Sequence, residues 1–185
     1  MTTALSAYRL GFADWLTYPD DGRLYEIVTG ELYVTPPPNV EHQRISRDLE
    51  YRLLEYLRRA HRGEVFDAPI GVHLSDENVL EPDLVVVLAE HADRIGKQAI
   101  EGAPDLVVEI LSPGTAQRDV GPKLRQYERA RVPEYWVVDP KNQTVEVLVL
   151  EQDTYVRRYL FGRADNLVSP LLDGLAIDLT EIFRS

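Results

Sequence analysis

The sequence predicts a mixed α/β fold, an α+β arrangement in which a central mixed sheet is flanked by helices. Three observations predict it. Two short apolar runs, over 84–89 and 106–111, carry apolar residues at successive positions and read as strands buried on both faces. A long segment over 40–60 instead repeats its apolar residues with helical period. Helical and extended segments also alternate along a chain of 185 residues, a length that one core can serve.

The elements follow in order. Residues 11–18 suit a short helix with Phe12, Trp15 and Leu16 turned inward. Residues 24–34 read as two strands around Thr29-Gly30, a hairpin signal. Pro36-Pro37-Pro38 ends the second strand, because proline cannot donate to a ladder. Asn39 can cap a helix running to about Ala60, whose buried stripe is Ile45, Leu49, Leu53, Tyr56 and Leu57. Beyond Gly63, residues 64–74 are extended with an interruption near Pro69. The two apolar strands come next, with helical character between them over 89–97. A helix over 119–130 precedes a strand at 134–138 and a turn at 139–142. A closing hairpin over 145–150 and 155–161 and a short helix near 179–183 complete the chain. We expect a single domain over 1–185, with an N-terminal helix and hairpin at 1–37, a core at 38–161 and a tail at 162–185.

Composition narrows the function. Without cysteine, disulfides and thiolate metal sites are excluded. No apolar run reaches the roughly 20 residues of a spanning helix, and the N-terminus lacks a basic start followed by an apolar stretch. A soluble cytoplasmic protein with no membrane partner is expected. The net charge of −11 disfavours non-specific grip on nucleic acid. Its distribution is uneven, with +3 over 42–62 and +3 over 118–131. Either segment can be a basic surface or an ordinary helix exterior.

The chemistry concentrates on two acids in the apolar strands. Glu109 interrupts 106–111 near its end, where a carboxylate must be paired, hydrogen-bonded or bound to a metal. Alone, it would read as half of a buried ion pair. Asp83 opens the other strand after Pro82, and neighbouring strands about 4.8 Å apart would let both acids reach one cation. Asp105 is the rival, but it lies about 13 Å from Glu109 along the same strand and reads better as a residue that opens the strand or contacts a helix.

Lys123 is the third member. In the helix after Asp119 the inward positions are Val120, Leu124 and Tyr127, and Lys123 flanks that face. It either snorkels to solvent or reaches the two acids, while Pro122 is tolerated in the first turn. Hard oxygen ligands with a nearby ammonium suit Mg²⁺ or Mn²⁺ and hydrolysis of a phosphodiester. No Gly-rich phosphate loop, His-x-x-x-His pair or G-x-S-x-G elbow is present.

Five stretches carry a family resemblance: YEIVTGELYVTPPPNVEHQRIS, EPDLVVV, GAPDLVVEILSPGTAQRDVGPK, QYERARVPEYWVVDP and the closing hairpin. Together, over about 11–161, they resemble the bacterial Uma-two family of restriction endonucleases, a branch of the PD-(D/E)XK nuclease superfamily. The resemblance implies a restriction endonuclease-like core with an added N-terminal hairpin, and a Mg²⁺-dependent endonuclease (Mn²⁺ serving as well) acting on DNA. It implies Asp83 and Glu109 as catalytic metal ligands. The superfamily motif expects lysine two positions after the glutamate, where this chain has Leu111, and the family pattern supplies Lys123 from the following helix instead. Two further positions match recurring family residues. Glu26, in the first hairpin strand, would be an outer acid or extra ligand, or else a hairpin ion pair. His42, one turn before Ile45, would contact phosphate or water, or else be a capped or core-edge histidine. Asp119, Gln126 and Tyr127 are candidates to orient Lys123.

Two other readings compete: a non-catalytic binding or regulatory module that keeps the fold, favoured by the acidity and by Leu111, and a metal-dependent hydrolase of another substrate. Cutting both strands calls for two sites, so a homodimer would fit, with the closing hairpin's edge strand as its contact.

Overall fold

The computed structural model describes residues 8–112 and 119–184; Arg118 of the second basic segment and the side chain of Val120 lie outside the described residues. After helix α1 (Phe12–Trp15), strand β1 (Leu24–Val28) turns back on β2 (Glu31–Thr35) through Thr29 and Gly30, with φ of 52° and 77°. Both positive values are what a two-residue hairpin turn needs. A β-branched residue resists this conformation, and Thr29 is held in it by a 2.9 Å bond from its N–H to Asn78 Oδ1.

The hairpin is two strands of a larger sheet. Strands β4 (Gly71–Ser75), β5 (Asn78–Leu80) and β7 (Ala99–Glu101) join it in the order β2-β1-β5-β4-β7. β5 and β7, absent from the sequence reading, have three residues each, too few for a period to register. The extended region over 64–74 divides between sheets, β3 (Gly63–Asp67) entering a second one. Gly63 is required there: its φ is 144°, and a Cβ would stand 2.2 Å from the Val87 carbonyl oxygen.

The second sheet is the centre of the molecule. It contains β6 (Leu84–Leu88), β8 (Leu106–Ile110), β9 (Glu134–Asp139), β10 (Thr144–Glu151) and β11 (Thr154–Gly162), ordered β11-β10-β9-β8-β6-β3. β8 and β9 run parallel and their neighbours antiparallel, so the sheet is mixed.

Helix α2 (Val40–Ala60) covers one face, burying Ile45, Leu49, Leu53, Tyr56 and Leu57 against Leu84, Val86, Leu106, Val108 and Trp136. Each such aliphatic side chain stabilises the fold by about 1.5–3 kcal/mol. Asn39 caps it, Oδ1 accepting the His42 N–H at 2.9 Å. The tail joins this face. Its strands β12 (Asn166–Leu167) and β13 (Ile177–Asp178) pair with each other, and Leu167, Leu172, Leu179 and Ile182 enter the α2 core.

The other face packs against the first sheet. Val85, Val87, Val107 and Val137 meet Val28, Val72, Leu80 and Ile100. Two helical segments follow the central strands, a 3₁₀ segment (Ala89–Arg94) after β6 and the region expected to be a regular helix over 119–130 after β8. There the backbone forms a wide π-type turn over Asp119–Lys123 before α3 (Leu124–Arg129). Pro122 lacks the N–H and clashes with a tight helical ladder, and the wider turn accommodates it. Helix α4 (Leu179–Ile182) ends the fold. Among the described residues no helix is long and apolar enough to cross a membrane.

Candidate functional site

Antiparallel pairing of β6 with β8 sets Leu84 opposite Val108, so one further step of the ladder places Asp83 beside Glu109. Side chains alternate along β8, so Glu109 shares with Val107 the face turned toward the first sheet, while Asp83, one residue before β6, meets His42 at the start of α2. Asp105 stands at the far end, where its carboxylate accepts from Leu88 N–H at 2.8 Å and His91 Nδ1 at 2.7 Å. It fixes the 3₁₀ segment to the strand end and takes no part in the Asp83–Glu109 cluster.

Asp83 is held from two sides. Its Oδ2 accepts the Ile110 N–H at 2.7 Å, and its Oδ1 lies 3.3 Å from His42 Nε2. The same Nε2 lies 3.1 Å from the Ile110 carbonyl oxygen. Both neighbours are acceptors, so Nε2 carries the proton. Nδ1 is then buried and has no hydrogen-bond partner among the described residues. Burial pushes the imidazole pKa down, but Asp83, the Ile110 carbonyl and Asp119 outweigh it and leave the pKa above its ordinary value.

Lys123 reaches the acids from the π-type turn. Its Nζ lies 2.6 Å from Glu109 Oε1, 2.7 Å from Glu26 Oε1 and 3.5 Å from Asp119 Oδ1, with only 3% of the side chain exposed. Burial disfavours the ammonium, yet Glu109, Glu26 and Asp119 hold its pKa well above the usual lysine range. The wide turn thus brings the Lys123 ammonium to the end of β8. Tyr127, one turn on, donates its hydroxyl to Glu109 Oε1 at 3.3 Å. Gln126 is buried beside it but makes no bond to Lys123 among the described residues.

Burial pushes the Glu109 pKa well above the carboxylate range; Lys123 pulls it down, while Asp119, Asp83 and Glu26 add to the rise. Glu26 comes from β1 and also accepts the Glu81 N–H at 3.1 Å. Glu81 itself accepts the Tyr25 N–H at 3.1 Å, and its pKa is pushed up to about 7, by burial first and the Glu26 charge next among the raising causes. Glu81 was not singled out in the sequence, and only its place beside Pro82-Asp83 could have flagged it.

These groups line a cleft of about 470 Å³. One side is polar, with Glu26, Glu81, Asp83, Glu109, Asp119, Lys123 and His42; the other is formed by Leu24, Tyr33, Val34 and Pro36 to Pro38. Four carboxyl groups, those of Glu26, Asp83, Glu109 and Asp119, thus surround one lysine and one histidine. That donor set, hard oxygens in excess of their cationic partners, fits Mg²⁺ or Mn²⁺. Among the described residues no three His, Asp or Glu side chains form a ready-made metal cage. Mg²⁺ does not need one, since it takes one or two carboxylates and completes its octahedron with water and substrate phosphate.

Proteins with this architecture include nuclease-like ones. A solved structure titled as a putative nuclease belonging to DUF820, from Anabaena variabilis ATCC 29413, matches with a TM-score of 0.77 over 94% of this chain and 97% of that chain, at 20% identity. That likeness speaks for the fold. No curated protein matches the chain. The family model Uma2, described as "Putative restriction endonuclease", matches residues 12–180, and the chain belongs to that family.

Proposed function

We propose that the protein is a divalent-metal-dependent endonuclease that hydrolyses DNA phosphodiester bonds at the Asp83–Glu109–Lys123 cluster. The observation that carries this reading is the excess of buried carboxyl groups around a single lysine, at the floor of an open cleft. Asp83 and Glu109 would hold Mg²⁺ or Mn²⁺, which when bound supplies charge neutralisation at the phosphate and a lowered pKa for the attacking water. Lys123 stabilises negative charge developing on the phosphate oxygens. Glu26 and Asp119 position the ammonium, Tyr127 steadies the Glu109 carboxylate, and His42 fixes the rotamer of Asp83. A single domain is supported by the packing of the two sheets, Val28, Val72 and Leu80 of the first against Val85 and Val107 of the second. A homodimer pairing the edge strand β11 would bring two such sites into one assembly.

Calorimetric titration with Mn²⁺, run beside cleavage of plasmid and single-stranded DNA, tests the reading. Wild type is expected to bind saturably and to cut, and Asp83→Asn and Glu109→Gln to lose both. Metal binding that survives both substitutions would overturn the site. Binding of metal and DNA without cleavage on any substrate would favour the non-catalytic module, the reading that Lys123's saturation by Glu26 and Glu109 supports.

A further inference from the structure

We propose that the cleft takes an unpaired nucleotide, so that the substrate is single-stranded DNA or a frayed strand end, not a continuous duplex. This rests on the nuclease reading for the chemistry and on the two-sided cleft for the substrate class. The acids and Lys123 lie deep: Glu26 is 2% exposed, Glu109 3%, Asp119 2% and Lys123 3%. A phosphate must enter the cleft to meet them, and a volume of about 470 Å³ holds roughly one nucleotide with its water.

The facing side is made for a base. In the β1–β2 register Tyr33 stands directly opposite Glu26, so its side chain emerges on the same sheet face as the acid that binds Lys123. Thr35, opposite Leu24, continues that face, and Pro36 to Pro38 extend it. An aromatic ring and a row of prolines beside a phosphate-directed cluster suit one nucleotide, its base stacked on Tyr33 and its phosphate turned to Lys123. In an intact duplex the bases are stacked on one another and cannot use that side.

Electrostatics points the same way. Duplex binding draws its affinity from several Lys or Arg contacts to phosphates. Among the described residues that line this cleft, Lys123 and His42 stand against five acids, and the whole chain carries −11. Among the arginines on α2, Arg47 pairs with Asp48, and Arg52 with Glu55 and Glu181. Stacking on Tyr33 then adds the affinity that these charges do not supply.

The test uses the full-length protein with Mn²⁺ and fluorescein-labelled 12-mers, oligo(dT) and a duplex of equal length, followed by anisotropy and by cleavage on gels. Wild type is expected to bind the single strand at least about tenfold more tightly than the duplex. Tyr33→Ala should weaken single-strand binding at least about fivefold, and Tyr33→Trp should restore it, with circular dichroism confirming both folds. A duplex bound or cut as well as the single strand overturns the inference and leaves the nuclease reading standing. Unchanged single-strand affinity in Tyr33→Ala overturns it as well. A single strand bound preferentially but never cut upholds the cleft assignment and removes the nuclease reading.

Discussion

Lys123 lies 2.6 Å from Glu109 although the two side chains come from different elements, a π-type turn and the end of a central strand. With Glu26 at 2.7 Å on its other side, the ammonium is the cation around which the buried acids are organised.

Replacing Lys123 by Met keeps most of the volume and removes the charge. Glu109 and Glu26 then lie buried without their cation, so stability should fall by about 3–5 kcal/mol. Urea unfolding measures it; the companion change Glu109→Gln in the same chain should recover part of the loss. A neutral effect of Lys123→Met alone would mean that the pair is not buried as described.

His42 acts through Asp83. Its Nε2 bridges Asp83 Oδ1 and the Ile110 carbonyl, so His42→Ala leaves the carboxylate held only by the Ile110 N–H. Loss of such an outer partner typically weakens metal binding 10–100-fold. Mn²⁺ titration should show that loss, with His42→Gln retaining more affinity than His42→Ala.

The cap at Asn39 serves both helix and site, since its Oδ1 fixes the N–H of His42. Asn39→Ala should cost about 1 kcal/mol of stability and Asn39→Asp almost none. Thermal unfolding of the two variants checks this.

Glu81 gives the protein a pH-dependent weakness. Its pKa is pushed up to about 7 from an ordinary 4.5, so above 4.5 the unfolded chain releases a proton that the folded one keeps. Stability therefore falls as pH rises from about 4.5 to about 7, by at most about 3 kcal/mol. Glu81→Gln cannot ionise and should gain on wild type across that window. Unfolding free energies compared at pH 5.5 and pH 8 would show the gap widening at the higher pH, and a constant gap would refute the assignment.

Much of the molecule was legible beforehand. The helical stripe from Ile45 to Leu57 and the runs around Asp83 and Glu109 announce their elements because side-chain period follows backbone geometry. Strand spacing and the rise along a strand favour Asp83 over Asp105 as the partner of Glu109, and the β6–β8 register sets Leu84 opposite Val108. The three-residue strands β5 and β7 were invisible because pairing partners, not their own sequence, make them strands.

The sequence by itself determined which residues form the central strands and the long helix, and that two acids sit where burial makes them expensive. Only the tertiary structure decided what surrounds those acids. Glu26 lies 97 positions before Lys123, and Tyr33 and Glu81 face the cleft only because the first sheet folds across the second. Local periodicity reports which face of an element is buried; it carries no information on which distant element covers that face.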